Sequence, residues 1–311
     1  MKQFKRNVRA LKGFLLTLGF LLFIQVIVNA QDNKFIYDSR FMPPKGINLE
    51  RIVSMAPSIT ETLYALGVQD KIVGVTKFCN YPPEAMKKEK IGGIVDPNME
   101  KIISLNPDLV IGTPEANDVM IAVSLTKLGI PFLGLYPHSV EDIVESIRLV
   151  GEYTGTEQKA EEVIQEIQDR IARVRSLVKS LPTQKVLYTY GRKIKICAGP
   201  NTFADHLITL ANGVNILKDS PLPYPRVNIE EIVIRKPDVI LVSPMASGDH
   251  SQYDTSFMDR WKGIPAVKNK RIHVIPDFID RPSPRIALAL EVIATMIHPE
   301  LNLVAGNLDD H

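Results

Sequence analysis

The residues that most often do chemistry in proteins are scattered in this sequence. Ser58 follows the apolar run Arg51–Met55, but no histidine is placed by sequence to serve it, and no Gly-x-Ser-x-Gly turn presents a nucleophile. The six histidines are dispersed: His138 and His250 fall in loop-like segments where they would reach a ligand or metal, while His273 lies in an apolar run, as a core residue would. Cys79 and Cys197 have no zinc spacing, so no metal site is read. No glycine-rich loop of the dinucleotide or Walker kind cradles a phosphate, and no carboxylate pair sits where two pKa values would be driven apart. The remaining signal is aromatic. Phe78, Tyr81, Tyr136, Tyr224 and Phe278 all fall in segments read as loops. Rings gathered on one rim would suit a flat, largely apolar ligand, and anchoring of the loops is their alternative use.

The elements that must position these rings alternate in type. Short apolar runs at Arg51–Met55, Ile72–Val75, Leu109–Ile111 and Gly129–Leu135 read as strands, with helices between them. The rhythm recurs at Lys185–Tyr190, Ile194–Ala198, Val239–Val242 and Arg271–Ile275, and Arg285–Ile297 closes it as a helix. A repeat marks the two halves. Asn98-Met99-Glu100-Lys101-Ile102-Ile103 followed by Pro107-Asp108 matches Asn228-Ile229-Glu230-Glu231-Ile232-Val233 followed by Pro237-Asp238. Alternation of this kind predicts an α/β fold with two Rossmann-like lobes built on parallel sheets. Ligands of such sheets sit at the carboxyl ends of the strands. Those ends carry Pro57-Ser58, Phe78–Tyr81, Gly112–Asn117, Ser243–Gly248 and the segment Asp277, Phe278, Arg281.

Between the halves lies Ser139–Leu181. From Thr156 onward, Ala160, Val163, Ile164, Ile167, Ile171, Val174, Leu177, Val178 and Leu181 form one apolar stripe at helical spacing. Thr156 is expected to cap that helix, Ser139 with Asp142 to form a capping box on a shorter helix before it, and Gly151 and Gly155 to separate the two. One long helix would then bridge the lobes. The boundaries that follow are 1–30, 31–49 as a linker, 50–138 as the N-terminal lobe, 139–181 as the bridge, 182–298 as the C-terminal lobe and 299–311 as a tail.

Composition narrows the class further. The chain has 311 residues, 45% of them hydrophobic and 23% charged, with a net charge of +2, which gives nucleic acid no basic face to bind. The first residues are basic, Gly13–Val28 is nearly all apolar, and Val28-Asn29-Ala30 resembles a cleavage site. This is the pattern of a secretory signal peptide or a retained N-terminal anchor, and it places the body in an extracytoplasmic or periplasmic space. The two cysteines fall in different halves and are expected to be free thiols.

Several of these segments together resemble one family. Arg51-Ile52-Val53-Ser54-Met55-Ala56-Pro57-Ser58-Ile59-Thr60-Glu61, Tyr81-Pro82-Pro83-Glu84, the two Pro-Asp repeats, Asn201–Ile216 and Arg281-Pro282-Ser283-Pro284-Arg285 are similar to class III solute-binding proteins of ABC importers. The likeness runs from about Arg51 to Ile297 and is nearest to the cobalamin-binding branch. It implies a monomer, not an enzyme, that carries a corrinoid in the cleft between two lobes to a membrane permease and its ATPase subunits. The ligand is cargo rather than a resident cofactor. Ligand contacts implied are Pro57, Ser58, Phe78, Tyr81, Tyr224, Asp277, Phe278 and Arg281, and the permease-docking carboxylates are Glu61 and Glu230. A haem or iron-siderophore carrier of the same family is the alternative, and an extracytoplasmic enzyme or metallochaperone on the same fold is a second. Tryptophans that some cobalamin binders carry near Ile94 and Thr113 are absent, and the single tryptophan, Trp261, lies away from the motifs.

Overall fold

A computed structural model describes residues 42–44, 46, 48–113, 117, 119–191, 196–244, 261, 263–301 and 303. The signal-like segment before them, His250 and the end of the tail lie outside the described residues. In the N-terminal lobe, β1 (Ile52–Ser54) is flanked by β2 (Ile72–Val75) and β3 (Leu109–Gly112), and β4 (Phe132–Gly134) lies beyond β3, all parallel. In the C-terminal lobe β5 (Gln184–Tyr190) is the long strand. It pairs in parallel with β7 (Gly213–Asn215) and with β8 (Val239–Ser243), which pairs with β9 (Ile272–Val274). The exception is β6 (Ile196–Cys197), antiparallel to the end of β5. The sequence pattern missed β7, because its three residues begin at the glycine read as the end of the preceding helix and are too few to show a period.

Nine α-helices among the described residues cover these sheets: α1 (Pro57–Ala65), α2 (Met99–Ser104), α3 (Val119–Lys127), α4 (Val140–Thr154), α5 (Glu157–Val178), α6 (Phe203–Leu210), α7 (Ile229–Arg235), α8 (Pro265–Lys268) and α9 (Ile286–Ile297). Side chains of a strand alternate between faces, and both faces are buried. Ile52, Leu109, Ile111 and Leu133 pack with α1 and α4 on one side, while Val53, Val110 and Phe132 pack with α2 and α3 on the other. The C-terminal lobe divides its strands in the same way. Val186, Tyr188 and Leu241 join α6 and α9, and Leu187, Ile240 and Val242 join α7 and α8.

The repeat now has a physical reading. In each copy the asparagine is a helix cap, Asn98 Oδ1 accepting from the Lys101 N–H at 2.9 Å and Asn228 Oδ1 from the Glu231 N–H at 2.9 Å. In each copy the Pro-Asp aspartate then reaches sideways to the start of the central strand. Asp108 Oδ2 accepts from the backbone of Glu50 and Arg51, and Asp238 Oδ2 from that of Lys185. One motif therefore ends one helix–strand connection and sets the register of its neighbour, once per lobe.

The bridge is two helices. Ser139 caps α4 by accepting from the Asp142 N–H, and the Asp142 carboxylate turns back to the His138 N–H at 3.0 Å, one residue before the cap rather than on the cap itself as a capping box would have it. Gly155 ends α4 in the left-handed conformation, which a residue without Cβ adopts at no steric cost. Gly151 does not separate the helices as expected. It lies inside α4, where a Cβ would come within 2.6 Å of that of Ala160, so its role is to let α4 and α5 cross closely. Thr156 makes no capping bond, its hydroxyl pairing with Thr154 at 2.8 Å instead. On α5 the buried stripe is Ala160, Ile164, Ile167, Ile171, Val174 and Val178, while Leu177 is exposed. These residues belong to a single apolar cluster that also contains Ile52 and Leu63 of one lobe and Leu207 and Leu290 of the other. A bidentate pair, Arg170 on Glu291 at 3.0 and 2.7 Å, adds a polar tie from α5 to α9.

Candidate ligand site

The two strand rims meet where α1 and the loop after β2 approach a 3₁₀ turn at Asp277–Asp280. At the centre stands Glu61, which is only 3% exposed. Its Oε1 accepts from Arg281 Nη1 at 2.9 Å and from Arg285 Nη2 at 2.6 Å, and its Oε2 accepts from Arg285 Nε at 3.0 Å. Arg281 also donates to Asn80 Oδ1 at 2.7 Å and to Asp277 Oδ2 at 2.5 Å. The Arg285 guanidinium carbon lies 4.0 Å from the ring centre of Tyr81 and 4.8 Å from that of Phe278. A delocalised, weakly hydrated cation held by rings and a carboxylate is a favourable use of arginine at a low-water site.

A second group lies beside it on the C-terminal lobe. Tyr188, Tyr190 and Tyr224 form a ladder with ring centres 5.3 and 5.9 Å apart. At its inner end the Tyr188 hydroxyl donates to Asp280 Oδ1 at 2.6 Å, and the Ser243 hydroxyl donates to Asp280 Oδ2. Burial pushes the Asp280 carboxyl above the usual range despite these two donors. The same burial pushes the Tyr188 and Tyr190 phenols well up. At its outer end Tyr224 is 53% exposed, on the proline-rich loop beside the exposed Leu222.

The expected contacts divide accordingly. Tyr81, Asp277, Phe278 and Arg281 come together around Glu61, and Tyr224 joins the tyrosine ladder. Phe278 is buried, at 3% exposure, so its ring serves the core and Arg285 rather than an open rim. Pro57 and Ser58 form the first turn of α1 and are buried, and the Ser58 carbonyl accepts from Thr62. Phe78 is half-buried with Lys77 Nζ 5.2 Å from its ring centre. His273 is half-buried with its pKa lowered by burial. Among the described residues no three His, Cys, Asp or Glu side chains are grouped to hold a metal. Both cysteines are free and buried, and burial pushes the Cys197 thiol up to about 12.

Glu61 differs from the exposed docking carboxylate that the resemblance implies. It is buried and accepts from two arginines of its own chain. Its proximity to Arg281 and Arg285 depends on contacts 220 and 224 residues apart, which no local pattern reveals. Glu230 is exposed in the first turn of α7, and its repeat counterpart Glu100 is exposed in the first turn of α2. Sequence reasoning also missed Arg285, Tyr190, Asp280 and Asn117. Arg281 and Arg285 lie four residues apart in one proline-containing turn, which was the available signal for Arg285. Asn117 is fully buried, accepts from the Thr113 N–H at 2.6 Å and donates to the carbonyls of Met55 and Ile94, tying three rim loops together.

Comparison with known proteins decides the family: residues 52–278 match the model of the periplasmic binding proteins. The chain belongs to this family. The periplasmic binding protein is 28% identical to a vitamin B12-binding protein of Vibrio cholerae over 265 residues, 85% of this chain and 94% of the relative. It is 30% identical to a vitamin B12-binding protein of Vibrio parahaemolyticus, covering 78% of this chain and 87% of that one. Among solved structures, the periplasmic vitamin B12-binding protein of Vibrio cholerae superposes with a TM-score of 0.70 at 29% identity, covering 80% of this chain and 96% of that one. A periplasmic haem-binding protein from Roseiflexus, in its apo form, superposes at 0.73 and 29%, covering 81% and 99%. The family and these relatives are substrate-binding proteins, and the two-lobe α/β fold of class III binding proteins is the one observed here.

Proposed function

We propose that this periplasmic binding protein carries a corrinoid of the cobalamin type, held between its lobes, and delivers it to the permease and ATPase subunits of an ABC importer. The observation that carries the ligand choice is the charge balance at the meeting of the rims. Arg281 and Arg285 are the cations that a carboxylate-rich siderophore would need, and Glu61 and Asp277 already accept from them. The rim then offers rings such as Tyr81 and Tyr224 with Arg226 as an exposed cation beside them, fewer free cations than a carboxylate-rich siderophore asks for and suited to a large ligand whose contact surface is flat and mostly apolar. The vitamin B12-binding relatives point the same way.

Haem is the second reading, favoured by the exposed Tyr224 and by the haem-binding neighbour of equal identity. Ligation of ferric iron by a phenolate asks for easy loss of the phenol proton, and burial opposes that at Tyr190. Calorimetric titration of the residue 31–311 protein with cyanocobalamin, ferric haem and a ferric siderophore separates the readings. Cobalamin binding tighter than about 1 μM, near −8 kcal/mol, is expected. Weaker cobalamin binding alongside tight haem binding with iron-ligation absorbance bands would overturn the corrinoid choice.

Delivery asks each lobe for a carboxylate that a permease arginine can reach. Exposure and equivalence in the repeat support Glu100 and Glu230 in that role, with Glu100 replacing Glu61.

A further inference from the structure

We propose that Glu61 is a clasp between the lobes: from α1 of the N-terminal lobe it holds Arg281 and Arg285 of the C-terminal lobe, and so fixes the separation of the rims. It would set ligand affinity without touching the ligand. The proposal concerns the empty protein and stands whichever ligand the protein carries.

The geometry supports it at each partner. Arg285 presents two of its nitrogens to the two oxygens of one carboxylate, an arrangement that fixes orientation as well as distance. Arg281 shares Oε1 and is braced from both sides of the gap, by Asn80 on the N-terminal lobe and by Asp277 on its own. Tyr81 of one lobe and Phe278 of the other both lie within cation–π range of Arg285. The Arg281 and Arg285 side chains are only 13% and 12% exposed, so water screens the cluster little. Two cations and the two carboxylates that touch them leave the cluster close to neutral, and it can persist in a site that closes on an uncharged ligand.

The clasp also completes a mechanical argument. The apolar cluster along α4 and α5 joins the lobes through their cores. One such tie permits rotation about itself, and a second tie at the rims removes that freedom. The motion available to the empty protein is then small, and ligand binding has little conformational work to do.

Spin labels on Lys127→Cys and Lys218→Cys, one exposed residue per lobe, report the separation by pulsed electron resonance, while the native thiols stay buried. The otherwise native protein should give one narrow distance distribution without ligand. Adding Glu61→Gln should broaden it roughly twofold, because the released lobes sample several separations. Arg285→Gln should act in the same direction. If Glu61→Gln does not fold, the neutral combination Glu61→Gln with Arg281→Gln and Arg285→Gln is measured instead. An unchanged distribution in the folded variants overturns the clasp. So does failure of the neutral combination to fold, because the cluster would then be part of the folding core rather than a tie between folded lobes. Cyanocobalamin as probe gives a second reading: about tenfold weaker binding by Glu61→Gln is expected if the rims must be held in place, a cost near 1.4 kcal/mol. If the native protein binds no cyanocobalamin, the corrinoid reading fails while the distance measurement still decides the clasp.

Discussion

Glu61 in α1 and Glu230 in α7 are both glutamates on short helices near the rims of their lobes, and the resemblance to binding proteins assigns them one task. Their surroundings assign them different ones. Glu61 is the fifth residue of a helix whose first seven residues are all buried, and it meets two guanidinium groups. Glu230 is the second residue of a helix capped by Asn228, exposed, and placed where the positive end of the helix dipole favours an anion. The same carboxylate is thus an internal connector in one place and a surface group in the other. What separates them is depth in the helix. A first-turn residue projects past the sheet edge, and a second-turn residue on the core side of α1 has nowhere to go but inward.

The largest effect should come from breaking the buried member. Glu61→Ala leaves Arg281 with Asp277 and Asn80 but takes from Arg285 the carboxylate that accepts from both its Nε and its Nη2. Breaking a buried ion pair from one side costs about 3–5 kcal/mol because the remaining charge is stranded. Urea unfolding of Glu61→Ala should show a loss in that range. A loss below about 1 kcal/mol would mean that water reaches Arg285 freely, and that the contrast with Glu230 is one of geometry only.

Asp280 tests burial without a cationic partner of that strength. Its folded pKa is raised, so the folded protein binds its proton more readily than the unfolded chain does. That contribution to stability is present below the usual aspartate range and is lost as pH rises through the raised value. Asp280→Asn keeps an acceptor for the Tyr188 hydroxyl and a hydrogen bond to Ser243 but cannot titrate. The native protein should therefore gain stability relative to Asp280→Asn as pH falls from neutral into the acid range, by at most about 1.4 kcal/mol per pH unit. A relative gain as pH rises would show that the hydroxyl donors and Arg281 outweigh burial.

The contrast also explains what the sequence could and could not reveal. The α/β alternation, its doubling and the helical bridge follow from local periodicity, because Asn98 and Asn228 cap helices within three residues and Asp108 and Asp238 recur in step. The aromatic rim was legible in part, since Tyr81 and Tyr224 lie in proline-rich loops. Phe278 is buried where a rim contact was expected, and a short 3₁₀ turn gives no period to tell its inner side from its outer. Gly151 was read as a helix break because a glycine at a close helix crossing and one at a helix end look alike in sequence. The pairing of Glu61 with Arg285 joins opposite ends of the fold, and only tertiary packing creates it.

The exposed member should show the smallest effect on stability. Glu100 and Glu230 are both exposed, the second residue of helices whose caps, Asn98 and Asn228, do not involve them. Surface substitutions of this kind stay within about 0.5 kcal/mol. Glu100→Ala with Glu230→Ala should therefore leave urea unfolding and ligand affinity close to native, while uptake of ligand by cells that depend on this protein falls to background. The two copies of the repeat present the same residue from each lobe, so a partner with two equivalent arginine sites would engage both, and each single variant should keep part of the uptake. Full uptake by the double variant would remove the carboxylates from docking. Native uptake by the double variant and its loss in Glu61→Gln that still binds ligand would return the docking role to Glu61, and would require the buried cluster to open when the permease is met.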